Sequence, residues 1–302
     1  MNAIAIEALV KIYRDRRRRE VIALSSLNLI VERGEIFGFL GPNGAGKSTT
    51  IKALVGLIKP SSGNVHLFGE PVTSSEGRRQ VGYLPENPAF YDFLTAREYL
   101  VMVGRVFGMG KKAIEREVDR VLDLLDLRLA ERRQIRTYSK GMVQRLGIAQ
   151  TLLHDPDLYI LDEPMSGLDP VGRALVKDIL RDLKCRGKTV FFSTHVTADV
   201  EAVCDRVAII ASGKLQSVSL VCELLEKGIE GYAVQFSGSL TVEDGFEVLG
   251  LNDNFSEVFV PRHEMNSFMS ILAERGGAVQ LIEPIRHDLE KFFLDTIHSE
   301  KR

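Results

Sequence analysis

At 302 residues, with 45% hydrophobic and 26% charged side chains, the chain is long enough to bury a full core and to hold one large domain beside a small one. Its 39 Lys and Arg nearly balance 41 Asp and Glu, and a net charge of −2 supplies no whole-chain attraction to nucleic acid. Cys185, Cys204 and Cys222 are odd in number, widely spaced and free of any C-x-x-C pair, which argues against a disulfide framework or a structural zinc site and fits a reducing cytosol.

The opening stretch, MNAIAIEALVKIYRDRRRRE, places apolar residues before basic ones and lacks a small-residue cleavage site, so it does not read as a signal peptide. No window of about 18 uninterrupted apolar residues occurs, so any membrane role is expected to come through a partner. Residues 3–10 and 21–31 read as strands, and the basic run Arg16 to Arg19 between them reads as a hairpin loop. Such a run faces water, or else meets anionic lipid or a partner.

GEIFGFL (34–40) is a short apolar strand, followed at once by the glycine-rich GPNGAGKSTT and then by IKALVGLIK, apolar on one helical face. Further strands are predicted at 80–84, 158–161, 189–193 and 206–210, the last pairing across Ser212-Gly213 with KLQSVS. Residues from about 93 to 153 read as helical throughout, a block inserted into a layered α/β core. After about residue 220 the character changes: ELLEKG makes a short helix, and 231–302 mix strand-like pieces (YAVQF, SEVFV) with helices (MNSFMSILAERG, LEKFFLDTIHS). The predicted domains are therefore 1–220, with its helical insertion, and a small α+β appendage at 221–302.

Gly41, Gly44, Gly46, Lys47 and Ser48 fit G-x-x-x-x-G-K-[ST] at every fixed position. Glycines let the backbone wrap so that successive N–H groups point at phosphate oxygens, and the following helix aims its positive end at the same place. Pro42, Asn43 and Ala45 complete the loop. Lys47 would reach the β- and γ-phosphates, the Ser48 hydroxyl would coordinate Mg²⁺, and Thr49 offers another donor.

LYILDEP ends an apolar strand in Asp162 and Glu163, suited to a water-mediated Mg²⁺ partner and to the general base that polarises an attacking water. His195 follows TVFFST at another strand end, where ligands bind in open α/β sheets, and could contact the γ-phosphate or orient that base. YSKGMVQR (138–145) reads as a helix start capped by Ser139, with Gly141 two residues on: a second anion site on one chain.

Over about residues 3–220 these motifs resemble the ATP-binding subunit of an ABC transporter. The resemblance implies a P-loop NTPase core with an antiparallel β subdomain and an inserted helical subdomain, binding ATP and Mg²⁺. YSKGMVQR is similar to the family's LSGGQ signature, which faces the γ-phosphate held by a second subunit. Two chains, most simply a homodimer, would then sandwich two ATP molecules head to tail. Lys140 replaces the family's first glycine and Met142 its glutamine, while Ser139 and Gly141 remain. Ser166 to Asp169 resembles the D-loop at the dimer seam, Tyr13 sits where an aromatic ring stacks on adenine, and His195 matches the switch histidine.

Glu86 stands where the family usually has a glutamine that touches Mg²⁺ or the water and senses the transmembrane partner; an ionised Glu accepts but does not donate. That variant resembles the branch exporting drugs, sodium or lipid. The implied partner is an integral membrane permease, docked near Glu86 to Leu94 with Phe90, Tyr91 and Phe93 exposed, and the implied place is the cytoplasmic face of the membrane. No nucleic acid partner is expected. Two competitors stay open. A non-transport ATPase of this fold, acting on ribosomes or nucleic acid, would commonly carry two such domains or a long coiled coil, and a phosphate-loop kinase leaves Ser139 to Gly141, Ser166 to Asp169 and His195 unexplained.

Overall fold

A computed structural model describes residues 2–14, 19–227, 229–237, 246–252, 255–286 and 289–300. Arg16, Arg17 and Arg18 of the predicted basic loop lie outside the described residues, as do His287 and Asp288. The chain divides into two compact units, Met1–Leu220 and Val221–Arg302.

The first unit begins with β1 (Asn2–Arg14) and β2 (Glu20–Glu32), an antiparallel pair, and β3 (Ile36–Leu40), all five of whose residues are buried. The phosphate loop leads into α1 (Lys47–Leu54), then β4 (Ser62–Leu67), β5 (Glu70–Pro71), α2 (Ser75–Arg79) and β6 (Val81–Leu84). Three helices follow, α3 (Ala96–Val106), α4 (Lys111–Leu124) and α5 (Lys140–Leu152). The core then resumes with β7 (Leu158–Asp162), α6 (Pro170–Cys185), β8 (Thr189–Thr194), α7 (Thr197–Val203), β9 (Arg206–Ala211) and β10 (Lys214–Leu220). Four strands form an antiparallel sheet in the order β2-β1-β4-β5, and six form the central sheet in the order β10-β9-β3-β8-β7-β6. In the central sheet β9, β3, β8, β7 and β6 run parallel, and β10 turns back antiparallel on the edge.

This is the predicted α/β class. Parallel strands buried on both faces must be continuous apolar runs, which is why IFGFL, LYILD and TVFFST stand out in the sequence. Phe37, Phe39 and Phe191 pack across β3 and β8 with ring centroids 5.4–5.9 Å apart. Because all the parallel strands end on one edge, the phosphate loop after β3, the carboxylates after β7 and His195 after β8 come together there.

The stretch 93–153 is not helical throughout. Between α4 and α5 the chain makes only short 3-10 turns at Arg128–Ala130 and Ile135–Thr137, and Thr95 bridges Gln134 as an isolated antiparallel pair. Asp126 takes a left-handed φ of 52°, which ends α4. Within the block, Leu100, Val118, Val121, Leu122 and Leu146 are fully buried. Phe90 belongs to this packing: its ring meets Tyr99 edge-on at 4.9 Å, correcting its assignment as exposed. Tyr91 and Phe93 are exposed, at 58% and 62%.

The second unit contains α8 (Val221–Lys227), β11 (Ile229–Ser237), β12 (Glu247–Asn252), β13 (Phe255–Pro261), α9 (Met265–Glu274), β14 (Ala278–Arg286) and α10 (Leu289–Glu300). Its antiparallel sheet runs β12-β13-β11-β14, and Val234, Phe236, Val258 and Val260 bury one face against Phe268 and Leu272 of α9.

Candidate functional site

Gly44 and Gly46 have φ of +79° and +109°, and a Cβ on Gly46 would lie 2.8 Å from Leu24 Cδ2 and 2.9 Å from the Ala23 carbonyl oxygen. Only glycine therefore lets the loop wrap this tightly against β2. Helix α1 starts at Lys47 behind a Gly46 cap, with no side-chain cap bond and no acidic residue in its first turn, so its leading N–H groups lack an intrahelical partner. Asn43, Gly44, Gly46, Lys47, Ser48 and Thr49 line a cleft of about 280 Å³ whose other walls are Ala23, Glu86 and Glu163.

Lys47 is buried, and its Nζ donates to the carbonyl oxygens of Gly41 (2.6 Å) and Pro42 (3.2 Å). It also lies 3.7 Å from Glu163 Oε1. Burial pushes its ammonium below the ordinary lysine range, against the pull of Glu163 and Asp162. Ala45 is buried at the base of the loop.

Glu163 leaves the end of β7 with a left-handed φ of +50°, an unusual conformation for a residue with a Cβ. Its N–H donates to the Ser193 hydroxyl (3.1 Å) and carbonyl (3.2 Å), and its Oε1 lies 2.9 Å from His195 Nδ1. The same Ser193 hydroxyl donates to Asp162 Oδ1 at 2.5 Å, both residues being buried. Behind His195, Asp199 is buried and receives both Arg173 (2.7 and 2.8 Å) and Lys177 (3.1 Å), tying α7 to α6.

Ser48, Glu86 and Asp162 offer oxygen donors only, the hard ligands that suit Mg²⁺, an ion that keeps waters and needs few protein ligands. Among the described residues no cluster of three or more His, Cys, Asp and Glu could hold a metal alone. The donor set fits an ion completed by phosphate and water.

Ser139 caps α5, accepting from Met142 N at 3.3 Å. Neither Ser139 nor Gly141 lines the cleft. Tyr13 does not line it either: its ring is 40% exposed on β1, with Lys11 Nζ 5.0 Å from the ring centroid.

Residues 24–166 match the ABC transporter family. An uncharacterised ABC transporter ATP-binding protein of Synechocystis sp. is 46% identical over 78% of this chain and 68% of its own length. The chain belongs to the ABC transporter ATP-binding proteins. The bacitracin transport ATP-binding protein of Bacillus licheniformis is 36% identical, covering 91% of this chain and 92% of that protein. A Nod factor export ATP-binding protein of Burkholderia lata is 37% identical over 74% of each chain. A solved ATP-binding subunit of an ABC transporter superposes with a TM-score of 0.67 at 31% identity, over 74% of this chain and 91% of that one. A dimeric ATP-binding cassette in a post-hydrolysis state with ADP and Pi reaches 0.68 over 72% and 98%; at 23% identity it bears on the fold alone. The protein binds ATP and is an ATPase of a transport system. No helix among its described residues is long and apolar enough to cross a membrane.

Sequence reasoning missed Ser193 and Gln144. Ser193 carried a faint signal, a small hydroxyl ending an otherwise apolar strand. Gln144 carried none: it is a buried amide in α5 whose Nε2 donates to the carbonyls of Glu163 (3.2 Å) and Pro164 (3.0 Å).

Proposed function

We propose that two copies of this chain close around two ATP molecules and that hydrolysis drives export through a separate membrane permease. Each copy would supply the phosphate loop of one site and the start of α5 to the other. The observation that carries this reading is a division of groups. The cleft holds the phosphate loop and Glu163, whereas the Ser139-capped start of α5, which has no acidic residue in its first turn, is not part of the cleft. A helix N-terminus that lies outside its own chain's cleft is complementary to a phosphate held by a second copy.

Within that site the N–H groups of Gly44 and of Gly46 to Thr49 and the Lys47 ammonium hold the phosphates, while the Gly41 and Ala45 N–H groups brace the loop on the carbonyls of Thr194 and Pro42. Tyr13 offers its half-exposed ring to adenine. Ser48, Asp162 and Glu86 would hold Mg²⁺, which supplies charge neutralisation at the β- and γ-oxygens when bound. Glu163 takes the proton from the attacking water as its oxygen bonds to the γ-phosphorus and the bond to the ADP oxygen breaks. His195, on Glu163 Oε1, fixes that carboxylate. Ser139 and the Gly141 N–H add donors from the opposite side.

Export is favoured by the relatives named for bacitracin transport and Nod factor export, and by Glu86 itself; they lend no support to a ribosome- or nucleic-acid-directed ATPase. Docking on the permease would use exposed Tyr91 and Phe93, placing the chain at the cytoplasmic face of the membrane. The test is Glu163→Gln. Turnover should fall by about 10²-fold or more, as loss of a general base does, while ATP still binds and light scattering records dimers. Undiminished hydrolysis by a chain held monomeric would overturn the reading.

A further inference from the structure

We infer that Gln144 is a positioning residue linking the α5 helix start, which faces the neighbouring copy's nucleotide, to the general base of its own site. The inference rests on the reading of Glu163 and of the paired sites given above. It comes from a small set of contacts with no slack among them. The Gln144 amide has two N–H groups, and it spends them on two consecutive carbonyls, Glu163 O at 3.2 Å and Pro164 O at 3.0 Å. The Glu163 carbonyl also accepts from Ser166 N at 3.0 Å, closing the turn that opens the Ser166 to Asp169 segment. One carbonyl therefore joins three pieces: the base, the α5 helix and the segment resembling the D-loop.

Burial makes this linkage stiff. Gln144 is 4% exposed and Glu163 9%, so water cannot replace either bond freely. Glu163 needs support, because its φ of +50° is costly for a residue with a Cβ and persists only where neighbours over-determine it. Ser193 holds its N–H and Gln144 holds its C=O. Above the linkage, the start of α5 also packs on the same segment. A Cβ on Gly141 would lie 3.5 Å from the Gly167 carbonyl oxygen, and the Lys140 stem covers Gly167 so closely that a Cβ there would come within 2.8 Å of Lys140 Cε. Lys140 thus fills the space above a glycine at φ +71°. A shift of the α5 start, as a phosphate docks on it, therefore moves the Glu163 carbonyl along with it.

The experiment uses the purified full chain and ATP. Gln144→Met keeps the length of the side chain and removes both donors. The variant is made alone and in a Glu163→Gln background. The expected result is a fall in kcat of about tenfold or more with KM for ATP within about twofold. In the Glu163→Gln background the same change should alter residual turnover by less than about twofold, since a residue acting through Glu163 has nothing left to position. ATP-driven dimerisation of the Glu163→Gln chain should be the same with and without it. Unchanged kcat, an equal loss in both backgrounds, or a dimer requiring much more ATP would each overturn the inference. Gln144→Glu, which turns an acceptor toward the two carbonyls, should lower kcat in the same pattern. Unfolding of both variants would assign Gln144 to stability alone and overturn the proposal. Turnover retained by Glu163→Gln itself would sink the base assignment instead, which is a separate result.

Discussion

Ser193→Ala removes one oxygen that serves two residues. Its hydroxyl donates to Asp162 Oδ1 at 2.5 Å and accepts from Glu163 N at 3.1 Å, and Ser193 is fully buried with Asp162 only 2% exposed. A hydrogen bond to a charged group contributes about 1.5–3 kcal/mol, more than a neutral one, because the buried carboxylate has no water to turn to. For a unit of this size each kcal/mol moves the melting temperature by about 2–4 °C, so the loss should be about 3–12 °C. Glu163 keeps its second backbone anchor, the Ser193 carbonyl at 3.2 Å, so turnover should fall less than in Glu163→Gln. Calorimetry on the nucleotide-free chain gives the first number and phosphate release the second. In an Asp162→Asn background the stability effect of Ser193→Ala should shrink to about 1 kcal/mol, the worth of a neutral bond. An unchanged melting temperature, or an equal loss in both backgrounds, would refute the reasoning that the Asp162 charge gives this bond its weight.

Two further outcomes follow from the geometry. Gly46→Ala should abolish ATP binding in a fluorescent-nucleotide titration and lower stability. Gly44→Ala meets nothing within 4 Å and should cost only about 1–2 kcal/mol of backbone strain, so equal effects would contradict the close approach of the loop to Leu24 and Ala23. His154 is held below its ordinary histidine range by burial, its Nε2 on the Val81 carbonyl at 3.3 Å and its ring stacked on Phe107. With the folded pKa depressed below 6.5, its contribution to stability is complete above that value and is lost as pH falls toward the folded pKa. The melting temperature of His154→Gln should accordingly drop less than that of the parent between about pH 7.5 and pH 5; identical slopes would show that His154 does not titrate there.

The elements that the sequence reading did not place fail for local reasons. Strand β14 contains Pro284, which argues against a strand; proline is accommodated on edge strands, where alternate N–H groups point away from the ladder, and β14 lies on the sheet edge. Strand β4 opens with Ser62, Gly63 and Asn64, which read as a turn. Helix α6 does carry a local signal, Asp169 as a cap accepting from Gly172 N at 2.9 Å with Pro170 in the first turn.

Sequence alone determined the phosphate loop, the carboxylate pair and the α/β class. Each of these is a local requirement: glycines where φ must be positive, unbroken apolar runs where a parallel strand is buried on both faces, and acids at a strand end. Tertiary structure alone decided which groups meet. Residues 30 or more positions apart, Ser193 with Asp162 and His195 with Glu163, share hydrogen bonds only because β7 and β8 lie side by side in the sheet. The same holds for Gln144, whose two donors reach the backbone at Glu163 because α5 packs over the end of β7. A hydrogen bond depends on distance and direction in space, and spacing along a chain encodes those only within one strand, one turn or one helix.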